Sequence, residues 1–297
     1  MKTKITFLGT GSATPTAKRN HTGIYLQAGK ENILIDCGEG IQRQFRKAKL
    51  NPGKLTKILI THWHGDHTLG IVGLLETLAM AEYSKTLKIY GPKGTKEKIR
   101  LFETIYGNFK IDLEVYEVSG KFIDEDDFFI ESGKMVHGIP ANAYSFVIKD
   151  KLRLNKSKIK KLKLPNSPLL GKLQNGKDIT FEGKKIKSKD VSYIQEGKKI
   201  SIILDTLMNE NAVKLAKNSD LIICEASFLS TEKEKIKEYK HLTAKQAGEI
   251  AKKSKSKKLC LVHISQRHEQ TKKEILTDAK KVFKNTTIPN DLDLITI

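Results

Sequence analysis

Three imidazoles and a carboxylate fall within six consecutive positions, at His62, His64, Asp66 and His67, in the run Thr61-His62-Trp63-His64-Gly65-Asp66-His67. Neutral imidazole and carboxylate are the ligands that zinc and related divalent cations take. The chemistry on offer is therefore that of a metal centre, and a pair of cations needs about this many donors. A helix would spread positions i, i+2, i+4 and i+5 around its axis, so a loop leaving a buried strand is expected to carry them. The apolar run Lys57-Ile58-Leu59-Ile60 directly before the cluster supplies that strand. A solvated His-rich loop is the ordinary alternative, but the whole chain holds only eight histidines.

Three further residues close apolar runs in the same way. His137 follows Gly133-Lys134-Met135-Val136, Asp205 follows Ile200-Ser201-Ile202-Ile203-Leu204, and His263 follows Leu259-Cys260-Leu261-Val262. Ligands of α/β sheets gather at strand ends and loops. Singly, His137 or His263 reads as a satisfied core histidine, and Asp205 as a helix N-cap ahead of Met208 to Ala216. Together, beside the first cluster, they read as more of one donor set.

The elements that must position these residues follow from periodicity. Ile5 to Leu8, Gly23 to Leu26, Asn32 to Ile35, Lys57 to Ile60, Leu87 to Tyr90 and Leu113 to Val118 have the composition of strands. Gly40 to Ala48, Leu69 to Tyr83 and Lys96 to Tyr106 between them read as helices. A hairpin-like region runs from Phe128 through His137 to Ile148. Beyond residue 199 the alternation resumes, with continuous apolar runs of buried-strand type at Ile200 to Leu204, Leu221 to Cys224 and Leu259 to Val262. Helices are expected at Ile236 to Tyr239, Ala244 to Lys253 and Lys273 to Phe283, and a last strand at Leu292 to Ile297. Two similar halves, 1–150 and 200–297, each strand-rich with helices outside, imply one α/β domain built as a four-layer αββα sandwich.

Residues 151–199 break that rhythm. Their first part, Leu152 to Leu164, is short and basic, and Leu164-Pro165-Asn166-Ser167-Pro168-Leu169-Leu170-Gly171 is rich in turn formers, so the segment reads as an inserted flexible arm. Between Lys151 and Ile200, 15 Lys+Arg stand against 4 Asp+Glu, a net +11 out of +20 for the chain. A concentrated basic block suits a phosphate backbone, whose binding is driven by counterion release. Lysine far outnumbers arginine along the whole chain, so a generally Lys-rich surface is the competing explanation.

Composition closes off other classes. No stretch approaches the roughly 20 apolar residues of a membrane span. The N-terminus enters a strand at once, with no apolar signal-peptide region. Cys37, Cys224 and Cys260 lie inside or beside apolar runs and read as reduced core thiols. A cytosolic location and no membrane partner are expected.

His62-x-His64-x-Asp66-His67 with His137, Asp205 and His263, in that order, resembles the ligand set of the metallo-β-lactamase superfamily along nearly the whole chain. Five local signatures resemble the tRNase Z family within it. They are Phe7-Leu8-Gly9-Thr10-Gly11 with Pro15 and Arg19-Asn20, His137-Gly138-Ile139-Pro140 with Tyr144-Ser145-Phe146, Cys224-Glu225-Ala226-Ser227-Phe228, His241-Leu242-Thr243-Ala244, and His263-Ile264-Ser265-x-Arg267. In the first, Ala17 stands where the family often has lysine, with Lys18 one place later. The arm segment Ser167-Pro168-Leu169-Leu170-Gly171-Lys172-Leu173 is similar to the family's Gly-Pro arm motif, with serine for the usual glycine.

The resemblance implies two zinc ions per subunit. His62, His64 and His137 would hold one, Asp66, His67 and His263 the other, and Asp205 would bridge them, with Asp36 orienting ligands from behind. It implies cleavage of precursor tRNA at its 3′ end, with Asp66 accepting a proton from the attacking water, His241 as proton donor and Glu225 orienting it. Arg19, Asn20, Lys158, Lys160, Lys161, Lys163 and Lys172 become expected substrate contacts, and a homodimer is expected. His21 and His268 are left as surface or packing residues. The rivals are a small-molecule phosphodiesterase or lactonase of the superfamily, which has no use for a basic arm, and a catalytically dead RNA-binding subunit, which would be expected to lack ligands.

Overall fold

Alternation along the strands sorts their side chains into layers. In Glu31–Ile35, Ile33 and Ile35 enter one apolar cluster while Leu34 enters another. The computed structural model describes residues 2–297. One seven-stranded sheet runs Leu294–Thr296, Thr3–Gly9, Gly23–Ala28, Glu31–Ile35, Lys57–Leu59, Leu87–Gly91, Leu113–Glu117. The other runs Thr286–Thr287, Leu259–Val262, Leu221–Glu225, Lys198–Ile203, Ala141–Ile148, Phe128–Met135, Gly120–Asp124. Between them lies a core to which Ile5, Phe7, Ile33, Ile35, Phe146, Ile200, Ile202, Ile223 and Val262 contribute. Burial of each such side chain stabilises by about 1.5–3 kcal/mol.

Helices cover the outer faces. Ile41–Lys47, Ile71–Met80 and Thr95–Tyr106 pack Ile41, Phe45, Leu74, Leu78 and Ile99 against Leu34 and Ile58 of the first sheet. Glu210–Leu215, Ala244–Lys253 and Lys272–Lys280 pack Leu215, Ile250 and Ile275 against Ile203, Ile222 and Leu261 of the second. The result is the expected four-layer αββα sandwich.

Glu31–Ile35 and Lys57–Leu59 run parallel, as do Lys198–Ile203, Leu221–Glu225 and Leu259–Val262. Phe128–Met135 is antiparallel to Ala141–Ile148, itself antiparallel to Lys198–Ile203, and therefore points the same way as the parallel strands of its sheet. The carboxyl ends of these strands form one rim, where the Asn142 N–H donates to the Thr61 carbonyl (2.8 Å) and the Tyr144 hydroxyl to that of Ile60 (2.6 Å). These two bonds lock one sheet to the other beside the His-rich run.

Two local expectations need correction. Asp66 and His67 are not on an open loop. Gly65–Thr68 is a single helical turn whose N-cap, His64, is still extended (φ −76°, ψ 154°), so the chain can aim His62 and His64 before it begins to coil. Pro168, expected in a turn, instead opens the helix Pro168–Gln174, where its missing N–H would have been unpaired anyway.

Within residues 151–199, Lys151–Leu154 pairs antiparallel with Ser192–Gln195, so the segment leaves and returns through one two-stranded ladder. The helix Lys156–Lys161, capped by the Asn155 side chain, the helix Pro168–Gln174 and the hairpin Ile179–Phe181/Lys184–Ile186 enclose Leu164, Leu173, Ile179, Ile186 and Val191. Among the described residues no helix is long and apolar enough to cross a membrane.

Candidate metal centre

The rim collects its polar residues by one repeated device, the one to three residues beyond the end of a buried strand. Asp36 follows Glu31–Ile35, His62 comes shortly after Lys57–Leu59, His137 after Phe128–Met135, Asp205 after Lys198–Ile203, and His263 after Leu259–Val262. Asp36, Asp205 and His263 take left-handed backbone angles (φ 57°, 47° and 56°), a region that Asp, Asn and His enter more readily than other non-glycine residues. That turn swings each side chain off its strand axis into the space between the sheets.

Two donor groups meet there. His62 Nε2 and His137 Nε2 each lie 3.1 Å from His64 Nδ1, and Asp205 Oδ2 is 3.3 Å from His62 Nε2. On the other side, His67 Nε2 and His263 Nε2 are 3.1 Å apart, with Asp66 Oδ2 at 3.4 and 3.2 Å from them. Asp205 stands between, its Oδ2 3.3 Å from His67 Nε2 and its Oδ1 3.3 Å from His263 Nε2. All seven expected donors are thus brought together, and each group is close enough to grip one ion.

The outer ring nitrogens decide what the inner ones can do. His67 Nδ1 is 2.7 Å from Asp36 Oδ2, and Asp36 also accepts from the Thr61 N–H and hydroxyl, both at 2.7 Å. Because the Thr61 hydroxyl donates to Asp36, it accepts from His62 Nδ1 (3.1 Å). Likewise the Ser227 hydroxyl donates to Glu225 (2.9 Å) and accepts from His263 Nδ1 (3.0 Å). His137 Nδ1 donates to the Lys240 carbonyl (3.1 Å). These assignments, made from the hydrogen-bond network, leave four Nε2 lone pairs facing inward.

With the rings neutral no proton lies between these converging lone pairs, and among the described residues the buried Asp205 Oδ1 has no hydrogen-bond partner. A cation meets both needs, so the residues fit a metal. Burial holds His137 down to about 4 and lowers His64, keeping both rings neutral at physiological pH. Burial opposes a charge on His67, yet the Asp205 and Asp36 carboxylates outweigh it and raise the ring well above its ordinary value. Asp66 and Asp205 are pulled low in spite of burial, by His263 and His67 in both cases. The pocket is one that attracts positive charge.

Beside this centre, His241 Nδ1 is 3.0 Å from Glu225 Oε2 and 3.9 Å from Asp205 Oδ2. Glu225 is fully buried, its Oε1 taking the Thr206 N–H (2.6 Å). Burial opposes a charged His241, but Glu225 and Asp205 prevail and lift it to about 9. The ring can therefore carry a proton at neutral pH.

Other expected residues lie elsewhere. Lys158, Lys160, Lys161, Lys163 and Lys172 are exposed on the arm, with Lys158 Nζ donating to the Asp190 carbonyl. Arg19, an expected substrate contact, lies within the fold. It is 3% exposed, and its guanidinium donates to the Thr10 hydroxyl and the Pro289 carbonyl. Asn20 Nδ2 donates to the Glu39 carbonyl (2.7 Å). His21 and His268 are both buried, the latter 2.8 Å from Glu232. Sequence reasoning missed Thr61, Thr206 and Ser227 as supports, and the Ala13 N–H that donates to Asp66 Oδ2 at 2.8 Å. Thr61 and Ser227 sit inside runs already singled out for their neighbours.

The family profile described as Anti-Pycsar protein Apyc1 matches residues 3–106. Ribonuclease Z of Nanoarchaeum equitans is 38% identical over 292 residues, spanning 98% of this chain and 92% of its own. The crystal structure of human tRNase Z, short form, matches with a TM-score of 0.69 at 26% identity, covering 98% of each chain. The metallo-β-lactamase fold protein YhfI from Bacillus subtilis matches with a TM-score of 0.72 at 18% identity, covering 100% of this chain and 99% of its own, a likeness of fold.

Proposed function

The chain belongs to the ribonuclease Z family, and on that premise we propose that it is an endoribonuclease that removes the 3′ trailer from precursor tRNA. The tRNA keeps a 3′-hydroxyl and the trailer a 5′-phosphate. What supports the reading above all is identity to a ribonuclease Z along nearly the full length of both chains. The small-molecule alternative is not favoured, since the likeness to ribonuclease Z spans 98% of this chain.

His62, His64 and His137 would hold one zinc ion, Asp66, His67 and His263 a second, with Asp205 shared. Bound there, the ions would lower the pKa of water to about 7 and draw charge from the phosphate. The protein's own groups handle the protons. Asp66 Oδ2 is engaged by the Ala13 N–H and the second ring pair, so Oδ1 is the oxygen left to take a proton from the attacking water. His241, held through Nδ1 by Glu225, would give the proton from Nε2 to the departing 3′ oxygen. Ser227 and Thr206 keep Glu225 oriented for that task.

The exposed lysines at 158, 160, 161, 163 and 172 would contact tRNA phosphates far from the cut. The enzyme would work in the cytoplasm as a homodimer. The deciding experiment incubates the protein with one precursor tRNA, with and without an encoded CCA, and maps the new ends. A trailer bearing 5′-phosphate is the expected product. Failure to cut either substrate with metal bound, while a cyclic nucleotide or a lactone turns over, would reverse the assignment.

A further inference from the structure

Arg19 is a buried cation in a loop, and two of its partners, Glu269 and Pro289, lie near the other end of the chain. Its Nη1 donates to the Thr10 hydroxyl and, at 3.1 Å, to the Pro289 carbonyl, and its Nε is 3.8 Å from Glu269 Oε2. Thr10 passes the chain of bonds on to Asp291 Oδ1 (2.7 Å). Asp291 Oδ2 in turn accepts from the Asn20 N–H (2.6 Å) and from Gln44 Nε2 (3.0 Å). Glu269 also accepts from the Thr16 hydroxyl (2.9 Å), which itself receives the Arg19 N–H (2.9 Å). The middle and the carboxyl end of the 13–20 loop, at Thr16, Arg19 and Asn20, are thus pinned to the segments at 269 and 289–291.

The loop's other end bears on the metal centre. Ala13, in the left-handed region at φ 46°, donates its N–H to Asp66 Oδ2 at 2.8 Å, and its carbonyl is 3.1 Å from His21 Nε2. Asp66 Oδ2 is the same atom that faces His67 and His263. A charge buried to this degree has no surface to offer a phosphate, whereas a guanidinium with fixed partners is suited to holding a backbone in place.

We infer that Arg19 is a positioning residue that does not touch RNA. It anchors the 13–20 loop to Glu269, Pro289 and Asp291 so that the Ala13 N–H fixes which oxygen of Asp66 faces the metal centre and which is left for the proton. The inference rests on the proposed metal centre, and only partly on tRNA as the substrate.

The test compares Arg19→Lys, which keeps the charge and loses the fork, with Thr16→Ala, which loosens the loop without stranding a buried charge. Each is assayed on a small activated phosphodiester and on precursor tRNA, with zinc retention after dialysis and the thermal midpoint measured in parallel. The expected result is a fall in kcat of about tenfold or more for Arg19→Lys, by the same factor on both substrates. KM for tRNA stays unchanged, and one cation is retained less tightly. Thr16→Ala shows the same pattern at smaller amplitude, which covers the case in which Arg19→Lys does not fold. A raised KM for tRNA with small-ester turnover and zinc retention intact would overturn the inference and make Arg19 an RNA contact. Unchanged behaviour of both variants would overturn it as well. If the wild-type protein hydrolyses the small ester but not the precursor, the tRNA reading fails while the small-ester and zinc readouts still decide the role of Arg19.

Discussion

His241→Ala separates proton donation from the rest of the centre. The ring is 14% exposed and is held at Nδ1 by Glu225. Its removal leaves Glu225 with the Thr206 N–H on one oxygen and the Ser227 hydroxyl on the other. No carboxylate oxygen is stranded, and none of the seven donors is touched, so the fold and the metal content should survive. A positioned general acid contributes about 10²–10⁴-fold, which is about 2.7–5.4 kcal/mol of barrier at 1.36 kcal/mol per decade. That loss should appear only where the departing oxygen needs a proton. The 3′ oxygen of ribose does, whereas nitrophenolate leaves as a stable anion. Single-turnover cleavage of precursor tRNA should therefore fall by about 10² or more, and hydrolysis of a bis-nitrophenyl phosphodiester by less than about tenfold. Equal losses on the two substrates would refute the acid role and make His241 a structural prop, as would a tRNA rate within a few-fold of wild type. Glu225→Gln keeps a hydrogen bond to the ring but removes the charge that raises it, and should fall between wild type and His241→Ala on tRNA.

Four other outcomes follow from the same geometry. Exhaustive chelation should abolish cleavage, and metal analysis after reloading should read about two zinc ions per chain. His62→Ala should bring that to about one, and an unchanged content would remove His62 from the ligand set. Replacing residues 155–191 with a short Gly-Ser turn, which the pairing of Lys151–Leu154 with Ser192–Gln195 allows, should spare small-ester hydrolysis. It should also weaken tRNA binding, with a salt dependence shallower by about 0.7–0.9 for each phosphate no longer neutralised; equal loss of both activities would count against an RNA-gripping arm. Gly38→Ala would place a Cβ 2.3 Å from the Asp66 carbonyl oxygen and 2.5 Å from His21 Cβ. A cost of about 1–3 kcal/mol in urea unfolding is expected, together with weakened retention of the second cation, and a silent substitution would show that the Asp66 turn is looser than its packing implies.

The donors were legible because each ends or closely follows an apolar run, and a strand buried on both faces shows in sequence as a near-continuous apolar run. Ile200 to Leu204 before Asp205 and Leu259 to Val262 before His263 are of this kind. Asp36 was legible for the same reason. The supports were not. A hydroxyl such as Ser227 serves many ends, and nothing in a linear string says that it will donate to Glu225 and accept from His263. The helical turn Gly65–Thr68 is too short to leave a periodic signature. Arg19 marks the firmest limit. Arginine is almost never fully buried unless paired, so a loop arginine reads as exposed. The carbonyl that pairs with it, on Pro289, lies 270 residues along the chain. Patterning records which face of an element is apolar, and a long-range polar clamp inside a loop has no pattern to record.

The left-handed turns at Asp36, Asp205 and His263 carry an energetic consequence of their own. A non-glycine residue in that region costs about 1–2 kcal/mol, and three such residues at one rim are held there by the sheets and helices beneath them. Strain of this sort persists where the surroundings over-determine the backbone. Asp205 offers a clean measurement, because alanine and glycine remove its carboxylate equally but differ in their tolerance of φ 47°. Alanine must still adopt the strained turn, while glycine enters it freely and loses more chain entropy on folding, about 0.5–1 kcal/mol. The balance leaves Asp205→Gly ahead of Asp205→Ala by about 0.5–1 kcal/mol. Urea unfolding of both variants in excess chelator reads the difference without interference from bound metal. If Asp205→Ala proves equal or more stable, the turn is relaxed, and the side chain is held at the rim by its neighbours' charge and not by the backbone.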